Sequence, residues 1–390
     1  MANFRLVDRD TAYLLPPSVD EWLPEEHLAR FVVEMVDELD TSALEDDYTG
    51  SGSDAYHPDM MLALLFYSYA TGTVSSRKIE AATYDSLAMR YVAANQHPDH
   101  DTICTFRRRF LDQVAELFGQ LLMMAAHMGL MELGQISFDG SKIGANASKR
   151  KALSWDRAAQ LEEQMAEEVA ELLEEAEEAD RQAEGDEQDL PAEIARREKR
   201  LAEIRRAKQQ LQERAQQRYE AEKDEYEQRM EARRRKEEKT GKKTPGPKPK
   251  PPEPEGPEDN DQVNLTDSES RIMLTSQHGW QQCYNAQGIV DMSSHLLLDG
   301  EVVQTPSDAG QLVPPPEDPS PLEQMRWRLS TQEGKSFYGR RKATVETVFG
   351  IIKEVMGFRR FSLRGLEGAS GEWKLVQCAY NLKRMHALLT

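Results

Sequence analysis

The sequence predicts an α+β protein, in which helix-rich segments surround a smaller set of short strands. Apolar residues recur at helical spacing through about the first 130 residues, and again through a charged stretch from residue 154 to 243. Short runs of β-branched and aromatic residues occupy the region after residue 134 and the region from 270 to 304. This order predicts a strand-containing domain that a helical insertion interrupts.

Length and composition exclude several classes of protein. The chain has 390 residues, enough for two or more domains, and its 49 basic and 69 acidic side chains give a net charge of −20. No apolar run reaches the roughly 18 residues of a membrane span, and the N-terminal residues lack the apolar stretch of a signal peptide. The cysteines Cys104, Cys283 and Cys378 show no metal-ligand spacing and fit a reducing cytoplasm.

Charge is distributed unevenly along the chain. Residues 156–187 contain fourteen acids and two arginines, a local net charge of 2 − 14 = −12. Residues 335–364 contain eight bases and two acids, a local net charge of 8 − 2 = +6. Because a basic patch attracts polyanions even on an acidic protein, we expect the second region to contact nucleic acid.

The N-terminal helical region contains one segment with two interpretations. From residue 75 the pattern predicts a short helix, a polar turn at residues 97–100, and a second helix capped by Asp101. The second helix carries Arg107, Arg108 and Arg109. A DNA-reading helix-turn-helix has this organisation, and so does a small helical bundle whose arginines face water. The local pattern leaves both open.

The charged helical stretch from residue 154 to about 243 predicts an antiparallel coiled-coil hairpin. Its apolar residues follow a 3-4 spacing in two parts, separated by a break that contains a glycine and a proline. A proline-rich, exposed linker is expected to follow over residues 244–262. The apolar seam comprises Leu161, Met165, Val169, Leu172, Ala176, Ala179, Ile194, Leu201, Ile204, Leu211 and Ala215.

Two carboxylates are candidate metal ligands. Asp139 ends a short apolar run and precedes Gly140, so it either closes a turn or begins a metal site. Glu346 lies on the flank of a predicted amphipathic helix and is surrounded by bases. Acids that hold divalent cations beside bases that hold a polyanion are what chemistry on a phosphodiester requires.

Several long motifs connect these features. They are HPDHDTICTFRRRF, ISFDGSKIGANASKRKALSWD, NLTDSESRIM, YNAQGIVD, and the basic stretch that begins YGRRKATVETVFGIIKEVMGFRRF and ends AYNLKRM. In these motifs and their order the chain resembles bacterial insertion-sequence transposases of the DDE type, in the branch with an InsH-like helical N-terminal domain. The resemblance implies a ribonuclease-H-like catalytic domain, Mg²⁺ or Mn²⁺, double-stranded DNA at the element ends, and a homo-oligomer.

The resemblance also assigns roles to residues. It makes Asp139 the first catalytic, metal-binding acid and Glu346 the last. Tyr338, one base at Arg341 or Lys342, Glu346 and Lys353 stand where the family has its Tyr-Arg-Glu-Lys signature. The predicted DNA-binding set is Arg107, Arg108, Arg109, Tyr338, Arg340, Arg341, Lys342 and Lys353.

The second acid of the family pattern is missing at its expected place. The three antiparallel strands that the resemblance implies are present, but no apolar strand ending in Asp lies between Val313 and Tyr338. Asp267 is a candidate substitute metal ligand, and otherwise a turn cap. Three functions remain open: an active transposase; an internally deleted transposase that binds DNA without catalysis, which the missing second acid favours; and, from another class, a coiled-coil interaction protein.

The predicted fold is therefore α+β, with a helical, helix-turn-helix-like N-terminal DNA-binding domain and an incomplete ribonuclease-H-like catalytic domain interrupted by the coiled-coil insertion. The predicted boundaries are 1–130 for the N-terminal domain, 131–153 and 263–390 for the catalytic domain, 154–243 for the insertion and 244–262 for the linker.

Overall fold

The structure, a computed structural model, describes residues 19–48, 55–131, 135–182, 190–240, 248–252, 256–259, 261–275, 279–306 and 344–390. These residues form a mixed helix and strand structure, which confirms the predicted coarse class. The chain divides into two compact units, of which unit 1 comprises Met1–Asn146 and Cys283–Thr390, and unit 2 comprises Ala147–Gln282. A membrane-spanning helix is not found among the described residues.

The N-terminal part of unit 1 is helical, as its apolar spacing predicts. The central helix of this part is α3 (Pro58–Ala70). It is buried on nearly all sides because its sequence, PDMMLALLFYSYA, has apolar residues on every face. It begins at Pro58, and the Nδ1 atom of His57 accepts a hydrogen bond from the Asp59 amide at 3.3 Å. The helices are α1 (Leu28–Asp37), α2 (Ser42–Glu45), α3 (Pro58–Ala70), α4 (Ser76–Asp85), α5 (Leu87–Val92), α6 (His100–Arg109) and α7 (Leu111–His127).

The candidate helix-turn-helix segment differs in detail from its prediction. Its first part is two helices, α4 and α5, because Ser86 between them has an extended backbone. The cap of α6 is Asp99 and not Asp101, since the Asp99 Oδ1 atom accepts a hydrogen bond from the Thr102 amide at 2.8 Å. Asp101 lies inside the first turn of the helix and is exposed.

The strands that follow the N-terminal helices form an antiparallel sheet around the long strand β5. Strand β1 (Ile136–Gly144) pairs with β5 (Gly279–Asp291) so that Asp139 lies opposite Gly288 and Gly144 lies opposite Cys283. Strands β6 (Leu297–Asp299) and β7 (Val302–Val303) also pair with β5, as does β4 (Arg271–Thr275). Asp139 lies within β1 and not at its end as predicted, because pairing with β5 continues to Gly144.

The last described segment of unit 1 contains two helices and a π-helical turn. Helix α10 (Val345–Gly350) continues as a π-helix through Ile351–Val355. Helix α11 (Gly365–Leu389) packs against α3, α7 and α1 and against β6 and β7. It is therefore the common core element of the N-terminal helices and the sheet.

Unit 2 contains a pair of long helices. Helix α8 (Trp155–Gln182) packs against α9 (Leu190–Thr240), and cross-helix ion pairs join Arg197 to Glu168 and Lys208 to Glu162. Lys208 follows Arg197 along α9, whereas its partner Glu162 precedes Glu168 along α8. The two helices therefore run in opposite directions. Short strands β2 (Ala152–Ser154) and β3 (Gln262–Asn264) pair at their base. The core of the unit comprises Leu153, Ala158, Ile204, Ala207, Leu211 and Val263.

Candidate catalytic and DNA-binding site

Asp139 occupies the interior of unit 1. Its residue is only 7% exposed, and its cross-strand neighbour is Gly288. A Cβ atom on Gly288 would lie 2.9 Å from Cδ2 of Leu297 and 3.4 Å from Cζ of Phe349. Leu297 and Phe349 can pack this closely against β5 because glycine has no side chain. Residues directly opposite each other project to the same face of a sheet. Asp139 and the contact between β5 and α10 therefore share one face.

Glu346 lies in the first turn of α10. Its neighbours Val345, Val348 and Phe349 form the buried stripe of the helix, as the amphipathic pattern predicts, and Glu346 itself is exposed. Helix α10 packs against β1, the strand that carries Asp139. The structure thus places the two predicted acids on packed neighbouring elements, and their shared role stays a prediction.

Lys353 lies in the π-helical turn and reaches the same strand. Its Nζ atom donates a hydrogen bond to the Lys142 carbonyl at 3.1 Å. Burial lowers the pKa of Lys353, while the nearby Cys283 thiol and the Asp139 carboxylate act in the opposite direction. Because a π-helical turn holds an extra residue, Lys353 leaves the face it would share with Glu346 in a regular α-helix. Lys353 is half-buried, whereas Glu346 is exposed.

Residues 359–364, which we call the arginine segment, lie beside the end of β1. Gly144 forms a parallel bridge with Arg360, donating to the Arg359 carbonyl at 3.0 Å and accepting from the Phe361 amide at 2.8 Å. Arg360 Nε donates to the Ala145 carbonyl at 2.9 Å, and Arg364 Nε donates to the Asn146 carbonyl at 3.2 Å. Each of these two contacts uses one guanidinium nitrogen of an arginine that is exposed overall.

The three arginines of α6 lie in different environments. Arg107 is buried, and its Nη1 atom donates to Tyr69 Oη at 3.0 Å and to the Val74 carbonyl at 3.1 Å. Arg109 is exposed, pairs with Asp47, and lies 4.8 Å from the ring centroid of Tyr48. Arg108 is exposed. A direct DNA contact by Arg107 would require it to leave the protein interior, so the surface for this prediction is Arg108 and Arg109.

Asp267 lies in unit 2, in the turn between β3 and β4. Its carbonyl accepts the Ser270 hydroxyl at 2.8 Å, and its amide donates to Asn264 Oδ1 at 3.3 Å. The residue is buried. These bonds are those of a polar turn, the alternative that the sequence left open, and its metal-binding role stays a prediction.

Other predicted features lie outside the described residues. Tyr338, Arg340, Arg341 and Lys342 are among them, as is the segment from Val313 to Tyr338 in which no second Asp-bearing strand could be recognised. Within the described ranges, one group of three side chains could converge on a metal ion, formed by Glu45, His57 and Asp59. It is largely exposed, and neither Asp139 nor Glu346 belongs to it.

Sequence reasoning missed the residues that hold the arginine segment in place. The most notable is Glu372 in α11, which is fully buried and accepts the amides of Ser362 and Leu363 at 2.7 and 3.0 Å. Nothing in the surrounding sequence, GEWKLVQC, marks it, since an acid in a helix is usually solvated.

Comparison with known families bears on two stretches of the chain. Residues 17–109 match the model of a transposase domain, DUF772, and residues 311–386 match the model of a transposase DDE domain. No curated protein and no solved structure matches the chain. The first match covers the helices α1 to α6, and the second covers α10, the arginine segment and most of α11. Together they confirm the predicted resemblance to insertion-sequence transposases of the DDE type.

Proposed function

We propose that this transposase binds the duplex ends of its element and catalyses metal-dependent cleavage and transfer of DNA strands, with Asp139 and Glu346 as catalytic acids. The observation that carries the proposal is the arrangement around β1. This strand holds the buried Asp139, packs against the helix of Glu346, and is bridged at its last residue, Gly144, to the arginine segment. A carboxylate beside a phosphate-binding surface is the combination that phosphodiester chemistry needs.

The topology supports a ribonuclease-H-like arrangement for the catalytic part. Strands β1, β5 and then β6 with β7 form an antiparallel meander, in the order that the resemblance implies. Helices α10 and α11 cover the sheet through the stacked rings of Phe349 and Trp373, whose centroids are 5.9 Å apart. This arrangement supports the proposal of one catalytic acid in the first strand and another on a covering helix.

The donor chemistry of the two acids fits Mg²⁺ or Mn²⁺. Both are hard cations that prefer carboxylate oxygens, and Asp139 and Glu346 would supply them. Such an ion stabilises the charge that develops on phosphate and activates the attacking water or hydroxyl. Lys353, whose Nζ atom is hydrogen-bonded to β1, adds a positive charge beside the strand that carries Asp139.

An inactive form of the same protein is the second candidate. A specific observation favours it: no apolar strand ending in Asp can be recognised in the sequence between Val313 and Tyr338. Without a third carboxylate the metal ions would lack a ligand, and the attacking and leaving oxygens would no longer be held together. Such a protein would bind DNA and leave it intact.

A nicking assay separates the two candidates. Purified protein is incubated with Mn²⁺ and a labelled duplex from the DNA that flanks the gene, next to the Asp139→Asn and Glu346→Gln variants. The active enzyme should nick the duplex, and each variant should lose about 100-fold or more of the rate, because each removes a charge that holds the metal. Binding without nicking by the wild-type protein would favour the inactive form. Equal nicking by all three proteins would refute the two assignments.

A further inference from the structure

A buried polar network joins the N-terminal helices to the arginine segment. Glu372 in α11 accepts the Tyr69 hydroxyl on its Oε1 atom at 2.7 Å, and Tyr69 accepts a hydrogen bond from Arg107. The Oε2 atom of Glu372 accepts the backbone amides of Ser362 and Leu363. One carboxylate therefore links α3 and α6, within the transposase-domain match, to residues within the DDE-domain match.

The network has a feature that stability alone does not explain. Glu372 and Tyr69 are fully buried and Arg107 is nearly so. A buried ionic group is often no more stable than an apolar residue of the same volume, because removing its charge from water costs several kcal/mol. Its hydrogen bonds are directional, however, and they fix the groups that they join. The groups fixed here are two consecutive amides of the arginine segment.

The arginine segment is held from two sides as a result. On one side Gly144, Ala145 and Asn146 bond to it, including a 2.6 Å hydrogen bond from Asn146 Nδ2 to the Ser362 carbonyl. On the other side Glu372 holds the next two amides. The backbone between Arg360 and Arg364 thus has few ways to move, although both side chains are exposed.

We propose that Glu372 is a positioning residue for DNA binding: through Ser362 and Leu363 it keeps Arg360 and Arg364 aligned for adjacent phosphates, and Tyr69 and Arg107 hold Glu372 in place. The inference rests on the proposed function, in which the arginine segment contacts DNA. It gives Arg107 a role from inside the protein. The contribution of α3 and α6 to binding is then to order a distant surface.

The first test uses the Glu372→Gln variant of the full chain. An amide group cannot accept two backbone amides and the Tyr69 hydroxyl as a carboxylate does, so the segment should loosen while the volume of the side chain is kept. With a generic duplex, the negative slope of log K against log salt concentration should become shallower by about 1.8, which corresponds to two lost phosphate contacts. Val376→Ala, a fully buried change on the same helix, should lower stability and leave the slope unchanged.

The second test is a mutant cycle, which measures coupling between Glu372 and the two arginines. A role of Glu372 in stability alone would give no such coupling in DNA affinity. If Glu372 acts through the two arginines, Glu372→Gln should cost no further affinity in the Arg360→Ala/Arg364→Ala background. Equal losses in both backgrounds would overturn the inference. If the arginine double variant binds DNA as the wild type does, the proposed DNA surface itself fails. Should Glu372→Gln not fold, Tyr69→Phe takes its place in the cycle, with a smaller expected loss and the same interpretation.

Discussion

At the scale of single residues, Gly288 sets how closely α10 approaches the sheet beside Asp139. We predict that Gly288→Ala lowers the stability of unit 1 by about 1–3 kcal/mol, because the new methyl group would overlap Leu297 and press on Phe349. Thermal unfolding of the full chain measures the change.

Gly119 offers the matched control for this substitution. It lies inside α7, and in the part of the chain that the structure describes, no atom outside the backbone of its own helix lies within 4 Å of an added Cβ atom. Gly119→Ala should therefore raise stability by about 0.5–1 kcal/mol through helix propensity. If both variants are equally stable, the close approach of α10 to β5 is not as tight as the structure describes.

The residue scale also shows where sequence reasoning reaches its limit. The apolar residues of β1 and the basic character of the α10 region follow from local patterns, and they directed attention to Asp139 and Glu346. Arg107 shows the opposite case, since a run of three arginines usually faces water. Its burial depends on Tyr69, 38 residues away, and on Glu372, and no local spacing records such partners.

At the scale of elements, β4 ends the strand order β1–β5–β4 with an apolar outer face. Ile272 and Leu274 are 42% and 53% exposed, whereas Met273 between them is fully buried. Exposed apolar residues on a terminal strand favour association with other chains. We predict that Ile272→Thr/Leu274→Thr slows aggregation and changes the unfolding midpoint by no more than a few degrees.

The buried residue of β4 provides the contrast. Met273→Thr places a hydroxyl group in the core and should lower the midpoint well beyond the effect of the double variant, as light scattering and thermal scans would show. A large destabilisation by the double variant would mean that its two side chains are covered in solution.

Helices were the elements that the sequence predicted best. Their apolar spacing indicated α1, α3, α7, α8 and α9, and tertiary packing then set their ends within a few residues. The π-helical turn after α10 could not be predicted, because the sequence around it, VETVFGIIKEVM, has the pattern of a regular amphipathic helix. The extension of β1 past Asp139 was missed because Gly140, Ser141 and Lys142 interrupt the apolar pattern.

At the scale of the whole molecule, the chain passes from unit 1 to unit 2 after Asn146 and returns to unit 1 at Cys283. The two crossing points are close in the sheet register, because Gly144 lies opposite Cys283. We predict that replacing Ala147–Gln282 by a four-residue Gly-Ser linker leaves unit 1 folded, since such a linker spans up to about 14 Å. A single cooperative unfolding transition, followed by circular dichroism, is the expected result.

The limits of the excision matter for this prediction. Leu153 and Val263 share a core with Ala158, Ile204 and Leu211. Removing only the predicted insertion, residues 154–243, would therefore expose Leu153 and Val263 to solvent. That shorter excision should give a less soluble protein. Loss of cooperative unfolding after the full excision would show that unit 1 depends on unit 2 for its stability.

The central position of α11 has a consequence for the order of synthesis. Tyr69 and Glu372 are separated by 303 residues, which a ribosome adds in roughly 15–60 s. During that time α3 has been made, but the helix that covers it has not. We expect the N-terminal helices to complete their packing only once α11 has emerged, and to rely on chaperones until then. Translation that stops before Gly365 would therefore release no separately folded N-terminal domain, and only chains that contain both matched regions would be able to carry out the proposed binding of element ends.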